Sequence, residues 1–163
     1  RGRECTDFGI VADGEVMSVL VLPGKNRRDT DSDTSNALAD LLGIDGEVMI
    51  GDKALRYRLA NPDKGIDLAE AWKEETGLPF VFARLCARSR YIRRLRRLTR
   101  RFFVSPPKIP CRILRKEAEA RGLSAAELQD YLDKIYYRLG WREKRALKHF
   151  LRKERRYRGK RRK

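Results

Sequence analysis

The residues best placed for chemistry are Asp33-Thr34-Ser35-Asn36, at the start of a predicted helix. There the unpaired backbone N–H groups and the helix dipole favour an anion, although the same residue types also make an ordinary helix cap. Gly51-Asp52, where a strand enters a helix, is a second loop of this kind, and strand ends in open α/β sheets are where ligands bind. Ser18 is a lone hydroxyl in the apolar run Val16–Leu22, bonded to backbone or facing a crevice. His149, the one histidine, stands beside Lys148 in a basic segment, so a Ser-His-Asp triad lacks its base. Asp29, Asp31 and Asp33 imitate the start of a calcium loop, but Thr34 and Asp40 occupy the positions that need glycine and glutamate. Neither GxGxxG nor GxxxxGK(S/T) occurs, so nucleotide cofactors have no backbone cradle. Cys5, Cys86 and Cys111 form no CxxC pair, which gives zinc and a disulfide framework no signal; they read as free thiols in a reducing cytoplasm. These residues describe a small-anion binding lobe with no visible catalytic base, no metal and no cofactor.

The elements that must position them follow from apolar spacing. Phe8–Ala12 and Val16–Leu22 read as adjacent strands separated by the turn dipeptide Asp13-Gly14. Ser35–Leu42 is a short helix stopped by Gly43, and Val48–Ile50 is a strand. Asp52 caps a helix through Leu59 that Asn61-Pro62 closes. Asp67–Thr76 is an amphipathic helix with Leu68, Ala71 and Trp72 inward and Gly77 as its stop. Leu78–Ala83, continuously apolar, has the signature of a strand buried on both faces. Everything beyond Ala83 reads as helical. Tyr91–Phe103 turns Tyr91, Ile92, Leu95, Leu98 and Phe102 inward and ends at Ser105-Pro106-Pro107. Cys111–Arg121 follows, then a capping box at Ser124–Glu127 opening a helix to about Leu139. Trp141–Arg156 carries an apolar stripe of Trp141, Leu147, Phe150 and Leu151, and Arg158–Lys163 reads as a frayed tail. An α/β lobe followed by a helical return segment is the expected fold class.

At 163 residues, 41% apolar and 38% charged, the chain has globular composition with an over-charged surface. It begins at Arg1 rather than Met, which points to processing or truncation, and it shows neither a secretory leader nor a membrane-length apolar run. Charge is divided sharply. Residues 1–83 hold 10 Lys/Arg and 16 Asp/Glu, a balance of −6, whereas residues 84–163 hold 29 and 7, a balance of +22. A basic half raises nucleic acid as a partner, yet the arginines also fall on the solvated face of core helices.

Three stretches together resemble the chorismate dehydratases of the futalosine route to menaquinone. Gly9–Leu20 is similar to that family's V-x-S-V strand, and Thr34-Ser35 with Ala37-Leu38 to its T-S-x-x-L helix start. Ile50-Gly51-Asp52-Lys53-Ala54-Leu55, Asp67-Leu68, Trp72 and Thr76–Ala83 follow its most distinctive signature in order. The resemblance is strong over 9–83 and looser through Tyr131-Leu132 to Phe150.

That resemblance implies a periplasmic-binding-protein type II-like fold. Residues 1–15 would end the first lobe and form a hinge, 16–82 would be the second α/β lobe, and 83–163 a return hinge strand with a basic helical segment completing the first. The family's Y-x-N-x-x-P-like motif is absent, so an N-terminal segment is expected to be missing. The implied activity is a lyase reaction, dehydration of chorismate to 3-[(1-carboxyvinyl)oxy]benzoate, in the cytoplasm, without metal or cofactor and away from membranes. Ser18 would contact substrate, and Thr34, Ser35 and the N–H of Asn36 would hold a carboxylate. Gly51 and Asp52 would sit at the cleft edge; no proton-transfer group is identified. A sister enzyme that cleaves cyclic dehypoxanthine futalosine needs a histidine base in the cleft, and His149 lies in the wrong segment. The remaining alternatives are a non-catalytic anion-binding module of the same fold and a basic RNA-binding protein.

Overall fold

Apolar periodicity resolves into a chain that runs β1 (Arg3–Ala12), β2 (Val19–Leu22), α1 (Asp33–Leu42), β3 (Glu47–Ile50), α2 (Gly51–Ala60), β4 (Ile66–Asp67), α3 (Leu68–Thr76), β5 (Phe80–Arg88), α4 (Ser89–Val104), α5 (Cys111–Ala120), α6 (Ala125–Asp133), β6 (Ile135–Arg138) and α7 (Trp141–Arg161). The structure, a computed structural model, describes residues 2–24, 27–28, 31–104 and 108–161. Asp29, Ser105-Pro106-Pro107 and the last tail residues Arg162 and Lys163 lie outside the described residues.

The link 13–18 decides the architecture. Gly14 at φ 128° and Met17 at φ 65° turn the chain out of one sheet and into another, so β1 and β2, expected as adjacent strands, lie in different sheets. β1 is the centre of an antiparallel sheet ordered β5-β1-β6, and β2 the centre of a second ordered β3-β2-β4. The mixed α/β class holds. Paired at Ala12↔Phe80, β1 and β5 cross together into the shared core. There Ala12, Val19, Val21, Leu38, Trp72, Phe80 and Phe150 are buried. Trp72, Phe80 and Phe150 meet edge to face at centroid separations of 5.1–5.9 Å, the arrangement aromatic quadrupoles prefer.

Helix ends follow local chemistry. Gly43 and Gly77 close α1 and α3 in the left-handed conformation, and the Ser124/Glu127 capping box opens α6. α2 is different: Ile50 holds the cap position, no side chain caps it, and Asp52 lies inside the first turn rather than capping it. In α3 the buried alanine is Ala69, with Ala71 only half-buried.

Three further expectations give way to tertiary pairing. β5 is an edge strand, and of it only Phe80 and Val81 are buried. Ile135–Arg138 is not helix but a strand hydrogen-bonded to β1, because β-branched and aromatic side chains there gain a partner strand. Trp141, Tyr91, Leu98 and Leu151, expected inward, face outward, whereas Ile92 and Phe150 are buried as expected and Thr99 and Ala146 are buried beside them. The tail is also more ordered than expected, with α7 helical to Arg161.

The antiparallel register sets Cys5 opposite Cys86, and the two are disulfide-bonded, 81 residues apart in sequence. The reading of three free thiols is thereby corrected, since cross-strand proximity leaves no mark in sequence spacing. Cys111 is free and exposed. Among the described residues no helix is long and apolar enough to cross a membrane.

Candidate functional site

Ser18 is the last residue before β2 and is buried. Because β2 and β3 are antiparallel in the register Val19↔Ile50, the next pair outward is Ser18 and Gly51. The Gly51 N–H donates to the Ser18 carbonyl at 2.8 Å. Gly51 has φ 65°, a conformation that strains any residue with a Cβ. Met17, directly before Ser18 in the chain, is also left-handed, so one rare backbone conformation precedes Ser18 and another lies opposite it. With no side-chain cap on α2, the N–H groups after Gly51 face an open end, which favours an anion.

Asp67 holds this geometry; in the sequence it stood only at the start of a helix and in the Asp67-Leu68 pair that helped carry the resemblance. It is buried and accepts from the N–H of Val16 at 3.0 Å and of Met17 at 2.7 Å through one oxygen. Through the other it accepts from Ala69 at 2.9 Å and Glu70 at 3.1 Å, capping α3. Burial pushes its carboxyl above the ordinary carboxylate range, and the four backbone N–H groups offset only part of that. An aspartate directly before a helical run is a cap signal. Its second role, gripping the chain 50 residues earlier, had no sequence mark.

Thr34, Ser35 and Asn36 lie in the first turn of α1, but its donors are partly used. Ser32 caps the helix: its Oγ accepts the Ser35 N–H at 3.1 Å and donates to the Ser35 hydroxyl at 2.8 Å. The Asn36 N–H donates to the Ser32 carbonyl at 3.1 Å, so that group is not free for a carboxylate as expected. Ser35 is buried, and Asp33 and Asn36 line a cavity of about 300 Å³ closed by Glu154, Tyr157 and Arg158 of α7. A short turn after Gly43 leads from α1 into β3, and Thr34 and Ser35 make no hydrogen bond to Ser18 or Gly51.

Asp52 is exposed and pairs with Arg121, just after α5, at 3.5 Å. Around the joint between the sheets, Glu15 accepts from Arg58 at 2.8 Å and Lys134 at 2.9 Å. Asp13 pairs with Lys73 and, at 2.7 Å, with Arg142. Partial burial alone would raise both carboxyls, but the hydrogen bonds and charges of these cations hold them below their ordinary values. No cluster of metal-ligating side chains forms among the described residues, and Asp31 and Asp33 are no exception. His149 lies against Trp72, 5.7 Å between ring centroids.

Comparison with known proteins bears on what this end of the molecule is for. Residues 27–156 match the model of a family described as menaquinone biosynthesis. A chorismate dehydratase of Campylobacter jejuni subsp. jejuni serotype O:23/36 (strain 81-176) is 45% identical over 148 residues. The match takes in 89% of this chain and 66% of that protein, so the chain spans just under two thirds of the relative's length.

Proposed function

The chain belongs to the menaquinone biosynthesis family, and we propose that it carries the substrate-holding part of a chorismate dehydratase. The 45% identity to the Campylobacter enzyme is the observation that carries the reading. The fold proposed is of the periplasmic-binding-protein type. In it residues 1–15 end one lobe and form a hinge, 16–82 form the second lobe, and 83–163 return to complete the first. Two sheets joined by the paired crossing of β1 and β5 at Ala12↔Phe80 support that division.

In the proposed reaction the chorismate ring loses its C3 proton, and the C–H electron pair becomes the new ring double bond. The C4–O bond breaks with its own pair, and proton and hydroxide together leave as water. The C3 proton is acidified through the diene by the ring carboxylate, and aromatisation drives the step. The protein then has to clamp a dianion and polarise the departing hydroxyl. The uncapped start of α2 at Gly51 and the start of α1 at Thr34 and Ser35 receive carboxylate charge, while Ser18 donates its hydroxyl hydrogen to substrate. Asp52, tied to Arg121, shapes the edge rather than facing the dianion.

The test is water loss from chorismate, followed by mass spectrometry, with this chain and with the product of its complete gene. Conversion is expected, and Ser18→Ala should lower kcat/KM by roughly 10- to 100-fold, the worth of one hydrogen bond to a charged group. No conversion by either preparation overturns the dehydratase reading, and binding of chorismate without water loss leaves a binding module instead. Full activity in Ser18→Ala overturns the site.

A further inference from the structure

We infer that the outer face of α7 is a binding surface for single-stranded nucleic acid, independent of the dehydratase reading. Trp141, Arg145, Lys148 and Arg152 recur at steps of four, three and four residues, and Arg155 continues the line. This places them on successive turns of one face. Ala146 and Phe150 lie on the opposite face, buried against the core, so the line is held outward by packing. Trp141 is 76% exposed, the most exposed of the large apolar side chains. Among the described residues it enters no ring pair or cation contact.

The cations behind it are equally unengaged. Lys144, Lys153 and Arg158 of the same helix have carboxylate partners in Asp7, Glu75 and Glu154. Arg145, Lys148, Arg152 and Arg155 have none among the described residues. They line two adjoining cavities of about 760 and 470 Å³ that share Lys148 and Arg152. The result is a net cationic groove, in which the lining carboxylate Glu75 is paired with Lys153, with an unstacked indole at its head. Single strands are bound by this combination: a basic track for phosphates and an aromatic face for an unpaired base.

α4 is the internal control. It too carries unpaired arginines, Arg93, Arg94, Arg97, Arg100 and Arg101, but its exposed ring, Tyr91, is already covered by the Arg90 guanidinium at 4.6 Å. A membrane surface fits less well, because the apolar face of α7 is spent on Phe150 and the core, whereas an interfacial helix buries that face in lipid.

The experiment titrates the 163-residue chain with a twelve-nucleotide oligothymidylate and reads tryptophan fluorescence. Trp72 is fully buried, so quenching reports Trp141. Four phosphate contacts give a slope of log K against log salt near −3, or about a 50-fold loss between ~50 and ~200 mM salt. Arg152→Gln should make that slope shallower by about 0.7. Trp141→Ala should weaken binding by roughly 5- to 100-fold, and Arg97→Gln on α4 should change neither. The inference is overturned by an absence of binding at ~50 mM salt, or by binding that leaves Trp141 fluorescence unchanged. It is also overturned if Arg97→Gln costs as much as Arg152→Gln, if a DNA duplex of equal length binds as tightly, or if phosphatidylglycerol vesicles bind where the oligonucleotide does not.

Discussion

Trp72 and Trp141 mark two regions built on opposite terms. Around Trp72, α1, α3, β2 and the start of β5 close a core in which the indole N–H donates to the Pro79 carbonyl at 3.3 Å. Around Trp141, α7 spends one face on that same core and gives the other to a line of unpaired cations. Acidic residues accompany the first region and basic residues the second, in a balance of −6 against +22. Stability and charge thus reside in separate surfaces of this molecule, so each can be perturbed alone. Trp72→Ala should therefore cost about 3–5 kcal/mol in urea unfolding, the usual toll of emptying a buried aromatic site. Trp141→Ala should stay within about 0.5 kcal/mol. Comparable losses from the two variants would break the comparison.

A middle-sized effect belongs to Asp67, because it serves the first region and the joint at once. Asp67→Ala orphans the N–H groups of Val16 and Met17 and uncaps α3, a loss of about 1–3 kcal/mol from the unmet donors. It should also lower any chorismate turnover, since Met17 precedes Ser18. The sign of the pH effect is opposite to that of a paired acid. Burial raises the Asp67 carboxyl, so the folded state holds the proton more tightly than the unfolded chain does. Its share of stability is then full below the ordinary aspartate value and falls as pH rises through the raised one. Equal urea midpoints for wild type and Asp67→Ala would remove Asp67 from this role.

Much of the first region was legible because its signals are local. Ser35–Leu42 ending at Gly43, Val48–Ile50, and the helix ending at Thr76-Gly77 need only periodicity and caps, and they fold as the spacing says. The second region misled because its helices carry apolar residues on more than one face. Tyr91, Leu98 and Trp141 satisfy a helical stripe on paper, but the neighbours α4 and α7 receive bury Thr99 and Ala146 along with the expected Ile92 and Phe150, and leave those three exposed. Ile135–Arg138 and the Cys5–Cys86 bond were hidden for the same reason, both being set by what lies beside β1. Of the site, the turn at Gly51 was readable as a strand end entering a helix. The grip of Asp67 on Met17 was not, since it joins residues 50 apart.

The smallest expected effect lies where the two regions meet, and it tests whether they are joined by charge. Asp13 takes one cation from α3, Lys73, and one from α7, Arg142; Glu15 takes Arg58 from α2 and Lys134 from the segment after α6. Both carboxyls are held below their ordinary values of 3.8 and 4.5. The stability they supply is thus complete above those values and lost as pH falls through the lowered ones. Both side chains are about a third exposed, and solvent screens such pairs, so each bridge should contribute no more than about 1 kcal/mol. Urea midpoints measured from neutral pH down through the carboxylate range should fall for wild type and fall less steeply for the Asp13→Asn/Glu15→Gln double variant. If the double variant follows the wild-type acid slope, the joint is held by the paired crossing of β1 and β5 alone, and the opposite charges of the two regions play no part in fastening them.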